Sequence, residues 1–251
     1  MIVPCAELWP DPNRRDRQLV HWGMLAGKLG ADVKLLRPFL FAIRGVQPYA
    51  IATHDLVHAP GYTDTFVMMP PGDYPVVFPG STVAYQKASR ASPDADGDGR
   101  GDVGSIRPGR YILTDKQNGA EVVFEITDAY GSKRLPAWRD FDGDGKLSPE
   151  EMQKSEELRA GQQVGPVGTW ADSVLFHGGL DEPAKADGTP ARHRFSIACF
   201  TASRPWRKLM ADTCRSTGGR IDMVLANAWD LLPLVIPAPA GDSDAPPENV
   251  A

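Results

Sequence analysis

Apolar residues recur along this chain in two rhythms. Between residues 16 and 29 they fall at Leu19, Trp22, Ala26 and Leu29, in steps of three and four with Arg and Lys between. That spacing predicts an amphipathic helix, weakened by Gly23 and Gly27. Elsewhere they gather in short blocks rich in Val, Ile and Phe, at 65–69, 75–78, 121–126, 173–176, 195–198 and 221–225. Blocks of that length and composition predict strands. Two further helices are announced by their starts. Ser148-Pro149-Glu150-Glu151 offers a cap, a proline suited to the first turn and acids at the positive end, predicting a helix to about residue 160. Ser203-Arg204-Pro205-Trp206 predicts another to about residue 216, stopped by Gly218-Gly219.

Many short strands with a few helices imply one mixed α+β, β-rich domain over residues 1–236. Helical decoration is expected over about 1–60, and the segment 237–251, made largely of Pro, Ala, Asp and Gly, reads as a disordered tail. The 25 glycines and 23 prolines fit a loop-rich β or mixed fold. A formal charge of -5, with no Lys/Arg run mixed with aromatics, argues against a nucleic-acid partner. No apolar run reads as a transmembrane segment; the nearest, at 35–43, is interrupted by Arg37 and Pro38. Residues 1–11 lack the basic and apolar regions of a secretory signal, which implies synthesis in the cytoplasm. The three cysteines, Cys5, Cys199 and Cys214, allow at most one disulfide and leave a free thiol.

Within 140–151 the oxygen donors follow the spacing of a twelve-residue calcium loop. Asp140, Asp142 and Asp144 stand at positions 1, 3 and 5, Gly145 at the turn, and Lys146 offers its carbonyl at 7. Glu151 closes the loop at 12 as a bidentate ligand. A second loop at 94–105 repeats the first half, with Asp94, Asp96, Asp98 and Asp102 as donors, but Ser105 stands where the glutamate belongs. Ca2+ is therefore the expected metal, in a structural role. Loops of modest affinity would be empty in the cytosol and filled outside it.

Chemistry points to a different region. Ser173-Val174-Leu175-Phe176-His177-Gly178-Gly179 is an apolar block ending in His-Gly-Gly, and Phe195-Ser196-Ile197-Ala198-Cys199 is another ending in a cysteine. Adjacent strands would hold the imidazole and the thiol within reach of each other. The histidine would take the thiol proton, the thiolate would attack a carbonyl, and amides near Ala198 and Cys199 would stabilise the oxyanion. A lone buried cysteine is more commonly a core hydrophobe, so the pair carries the argument rather than either residue. A Cys-x5-Arg phosphate cradle is excluded because Arg204 lies five residues after Cys199, one too few. A metal site at His177, His193 and Cys199 lacks short paired spacing.

His177-Gly178 followed by Ser196-Ile197-Ala198-Cys199 resembles the L,D-transpeptidase (YkuD-type) signature, in which an upstream His-Gly precedes a Ser/Thr-His-Gly-Cys block. Arg107-Pro108-Gly109-Arg110-Tyr111 is similar to a strand upstream in that family. The resemblance spans about 106–228 and implies a YkuD-like β core over about 66–228, with the acidic loops as insertions. It implies Cys199 as nucleophile, His177 as base and Ser196 in the oxyanion and substrate wall, with Gly178 beside the site. The implied substrate is a peptidoglycan stem peptide, held as a thioester and passed to an amine or to water. Ile197 and Ala198 replace the family's inner His and Gly, and Thr201 replaces its arginine; Arg194, Arg204 or Arg207 could supply that cation. The target would lie in the cell envelope, periplasm or outside the cell, reached by specialised secretion, a phage or lysis. Two alternatives remain. One is a caspase- or clostripain-like peptidase, although Cys199 follows His177 by only twenty-two positions, short of the roughly 50 of caspases. The other is a non-catalytic, calcium-stiffened adhesion or interaction module.

Overall fold

The computed structural model describes residues 15–31, 37–46, 56–57, 64–82, 94–98, 102–116, 122–144, 146–158, 168–178 and 199–235. In chain order its elements are α1 (Arg15–Lys28), β1 (Phe39–Arg44), β2 (Leu56–Val57), β3 (Asp64–Met69), β4 (Val76–Ser81), β5 (Val103–Ile106) and β6 (Gly109–Asp115). There follow β7 (Phe124–Asp128), β8 (Arg134–Asp140), β9 (Lys146–Leu147), α2 (Pro149–Glu157), β10 (Thr169–Asp172) and β11 (Leu175–Gly178). The chain continues through β12 (Phe200–Ala202), α3 (Arg204–Ser216), β13 (Arg220–Asn227) and α4 (Ala228–Val235). The fold is β-rich and mixed α+β.

Eight strands close into a barrel in the order β1-β13-β6-β7-β11-β12-β4-β3. Two of its pairings, β1 with β13 and β11 with β12, are parallel, and the others are antiparallel. Alternation along each strand sends one set of side chains inward and the other outward. Inward go Leu40 and Ala42 of β1, Phe66 of β3, Phe78 of β4, Phe124 of β7, Phe176 of β11 and Phe200 of β12, all in one buried cluster. Their rings meet edge-on or stacked, as with Phe66 and Phe176 at 5.1 Å. Outward from β1 go Phe39, Phe41 and Ile43, which pack with Trp22 and Leu25 of α1 and Leu231 of α4.

The apolar run at 35–43 thus contributes a barrel strand instead of only decorating the domain. Every residue of β1 is buried. A strand covered on both faces shows no two-residue alternation, so its pattern is silent between strand and buried helix. The predicted helix at 16–29 is α1, and those opened by Ser148 and Ser203 are α2 and α3. The block at 173–176 pairs two residues later, as β11. The strand expected at 195–198, and the tail at 237–251, lie outside the described residues; the paired strand after the cysteine is β12.

A second sheet, β10-β8-β5, stands beside the barrel. It continues into the barrel where β10 passes into β11 through Ser173, a non-glycine residue with a φ of 56°. Among the described residues, no helix is long and apolar enough to cross a membrane.

Candidate functional site: a cysteine and a histidine on adjacent barrel strands

The parallel pairing of β11 with β12 sets Phe176 opposite Phe200, and His177 opposite Thr201. Because both phenylalanines point into the core, alternation places His177 and Thr201 on the outer face, with Cys199 one step before the strand on that same face. Extending the register opposes Cys199 to Leu175. The contact follows: the Leu175 N–H donates to Cys199 Sγ at 3.1 Å. His177 and Cys199 therefore lie on the same outer face, two register steps apart, with Cys199 just before β12.

The imidazole is held by its own strand. His177 Nδ1 lies 2.8 Å from the Gly178 carbonyl oxygen. A carbonyl only accepts, so Nδ1 is the donor in this contact, and in the neutral imidazole the lone pair then falls on Nε2. Gly178, opposite Ala202, thus orients the ring through its backbone. The other cysteine provides a contrast. Cys214 of α3 packs inside the core cluster, and burial pushes its thiol pKa up. Cys199 is only 3% exposed, yet it belongs to none of the hydrophobic clusters of described residues. His177 is 8% exposed.

Ser81 was not singled out by the sequence, and no local motif marks it. It pairs with Thr201 on β4, so His177, Thr201 and Ser81 form one outward row across three strands. Thr201 occupies the position where the resemblance expects an arginine. Arg204 opens α3 and is exposed. Arg207 is buried, and its guanidinium donates to the carbonyls of Ala202 and Val122, which ties the end of β12 to the approach to β7. Ser196, Ala198 and Arg194 lie outside the described residues. On the other flank of β11, Glu125 pairs with Leu175 and accepts from Lys116 at 3.0 Å, with Lys133 at 2.9 Å. Hydrogen bonding to Lys133, then to Lys116, holds its carboxyl below the usual range.

Polar groups fill the barrel end beneath this row. Arg44 continues the inward set of β1 and is fully buried, donating to Thr82 Oγ1 and to the carbonyls of Thr82 and Ile106. Asp64 accepts from the Gly45 and Thr82 amides at 2.8 and 2.6 Å. Burial lowers the Arg44 pKa to about 10, with the Asp64 charge acting in the opposite direction.

The acidic loops come together because β5 pairs with β8: Val103, which follows Asp102, lies opposite Asp140. In the second loop, oxygens of Asp140, Asp142 and Asp144 lie within 4.8 Å of one another. Glu151 Oε1 accepts from the Phe141 amide at 2.7 Å, while its Oε2 accepts from the Ser148 amide at 2.9 Å. Ser148 in return caps α2, so loop and helix share one capping box. The first loop groups Asp94, Asp96 and Asp102, and leaves Asp98 outside that group. Lys154 of α2 joins the two loops, pairing with Asp96 at 2.7 Å and lying 4.0 Å above the Phe141 ring. The clustered donors are all hard oxygens, but Glu151 stands outside that group, and both its oxygens already accept two hydrogen bonds, Oε1 from the Phe141 and Asp142 amides and Oε2 from the Ser148 amide and hydroxyl. Carboxylate oxygens are the ligand type of hard cations, not of soft-ligand metals. Gly145 lies outside the described residues.

Fold and site together define an eight-stranded barrel with an outward cysteine–histidine pair and two joined acidic loops. No family model, curated protein or solved structure matches the chain.

Proposed function

We propose that the chain is a cysteine-dependent acyl transferase or hydrolase acting on peptidoglycan stem peptides, in the manner of the L,D-transpeptidases it resembles. The observation that supports this most is the parallel β11–β12 pairing, which sets His177 and Cys199 on one outer face with the Nδ1 proton already committed to Gly178. Nε2 of His177 takes the thiol proton, and the sulfur attacks the acyl carbonyl. The Leu175 N–H aimed at Sγ is a donor that a thiolate uses better than a thiol. Collapse of the tetrahedral intermediate breaks the peptide bond; the imidazolium returns its proton to the departing amine, and a thioester remains. An acceptor amine or water then gives a proton to Nε2 and attacks the thioester, releasing product and thiol. The resemblance would give the oxyanion role to Ala198 and Cys199, the substrate wall to Ser196 and a substrate carboxylate to Arg194 or Arg204.

Cys199 is only 3% exposed, so the described surface offers a peptide little direct access to the sulfur. That burial also favours a second reading, a calcium-stiffened interaction module in which Cys199 is packed. Thiol labelling separates the two: modification of native protein near neutral pH supports catalysis, and inertness until unfolding supports packing. The decisive experiment is mass spectrometry of muropeptides incubated with wild type and with Cys199→Ala. Loss of the product in the variant is expected; identical profiles overturn the proposal.

Calcium, in this reading, is held by Asp140, Asp142, Asp144, the Lys146 carbonyl and Glu151, and by Asp94, Asp96 and Asp102 in the partner loop. It supplies charge neutralisation and loop order, and takes no part in the acyl chemistry. Filling of such loops outside the cytosol suits a site of action in the cell envelope.

A further inference from the structure

Across the barrel from Cys199, the outer face of β13 and β6 carries a cavity of about 230 Å³ between the end of α1 and the β7–β8 turn. Three arginines line it: Arg37, Arg110 and Arg220. Among its described lining residues Asp222 is the one acid, and it is paired with Arg220 at 2.5 Å. This leaves an excess of two positive charges in one cavity of a chain whose formal charge is -5. The strands explain the convergence. Arg110 and Val224 are register partners, Asp222 opposes both Phe39 and Ile112, and Arg220 lies two residues before Asp222 on the same face. Arg110 Nη1 donates to the Gly30 carbonyl at the end of α1, at 2.9 Å. One guanidinium is thereby anchored before any ligand arrives. The floor between the cations is apolar, formed by Phe39, Ile112 and Val224.

We propose that this cavity binds a phosphate ester bearing a small apolar group. Planar guanidiniums match the tetrahedral oxyanion with paired N–H donors. The apolar floor takes the organic part, and the volume lies below the roughly 300–1,000 Å³ of drug-sized pockets. Such an ester has two sources, a soluble metabolite or the headgroup of an anionic lipid. Asp222 competes with the ligand for Arg220, so its removal strengthens binding. The site is independent of the Cys199 chemistry.

The test is calorimetric titration of the full chain with inorganic phosphate and with phenyl phosphate, alongside sedimentation with phosphatidate-containing vesicles. Phenyl phosphate is expected to bind several-fold more tightly than inorganic phosphate. Arg37→Gln/Arg110→Gln/Arg220→Gln, checked by melting temperature, is expected to weaken it about tenfold or more. Asp222→Asn is expected to tighten binding, an opposite sign that misfolding does not produce. Binding of the soluble ester alone assigns a metabolite; vesicle binding that phenyl phosphate competes away assigns a headgroup. Absence of saturable binding in both arms, undiminished binding by the triple variant, or acetate binding as well as phosphate would overturn the proposal. Binding unchanged in Cys199→Ala is expected, and separates this site from the acyl-transfer reading.

Discussion

Individual residues in this molecule are constrained by very different forces. Gly80 is constrained by space. A Cβ there would sit 2.2 Å from the Phe66 ring and 2.7 Å from the Thr201 carbonyl oxygen. Neither can yield, since Phe66 is fully buried among other rings and Thr201 is paired within β12. Gly80→Ala is therefore expected to cost about 1–3 kcal/mol in denaturant unfolding, and to disturb the strand that follows Cys199. Glu125 is constrained by charge. Its lowered pKa means that its stabilising effect is present above the ordinary carboxylate value of 4.5 and is lost as pH falls through the lowered value. Glu125→Gln should thus be less stable than wild type at pH 7, by no more than about 1 kcal/mol for pairs this exposed. The gap in melting temperature should close in acid; a gap independent of pH would show that the lysine pairs do not cause it. Ser148 and Glu151 were readable as residues because cap and loop chemistry is local. Ser81 was not, since only the β4–β12 pairing gives it a place beside Thr201.

Elements show where pattern reading succeeded and where it stopped. Helices α1, α2 and α3 were legible because their signals lie within a few turns of chain: apolar steps in α1, capping residues in the others. Strands β6, β8 and β10 were largely missed. Polar residues such as Arg134, Arg139 and Asp140 interrupt β8, yet most of that strand is buried. Arg139 accounts for this: its guanidinium donates to the carbonyls of Asp102 and Trp170, so the charge serves to fasten neighbouring segments. The β1 end relies on a similar device. Arg44 is a buried cation whose nearby counter-charge is Asp64, so removal of the carboxylate leaves an uncompensated charge inside the barrel. Asp64→Ala is expected to cost about 3–5 kcal/mol. A loss below about 1 kcal/mol, measured by equilibrium unfolding, would mean that the barrel end hydrates freely.

At the scale of the whole molecule, the acidic loops and the cysteine–histidine face are linked through backbone. The loop at Asp140 ends β8, β8 pairs with β10, and β10 runs through Ser173 into the strand that carries His177. Chelation of calcium is accordingly expected to lower the melting temperature and to reduce turnover without abolishing it. Melting curves and turnover that ignore both calcium and chelator would remove the metal from the account. His177 and Cys199 were legible as the ends of two blocks, and the Gly178 carbonyl that orients the ring is its immediate chain neighbour, but the parallel pairing of β11 with β12 is a tertiary fact with no local signal. The claim that matters most is a covalent bond at one sulfur. Intact-protein mass spectrometry after brief incubation with a stem tetrapeptide should show an acyl adduct that maps to Cys199, forms in wild type and fails to form in His177→Ala. Product formation with no adduct at Cys199, or equal turnover by Cys199→Ala, would contradict it.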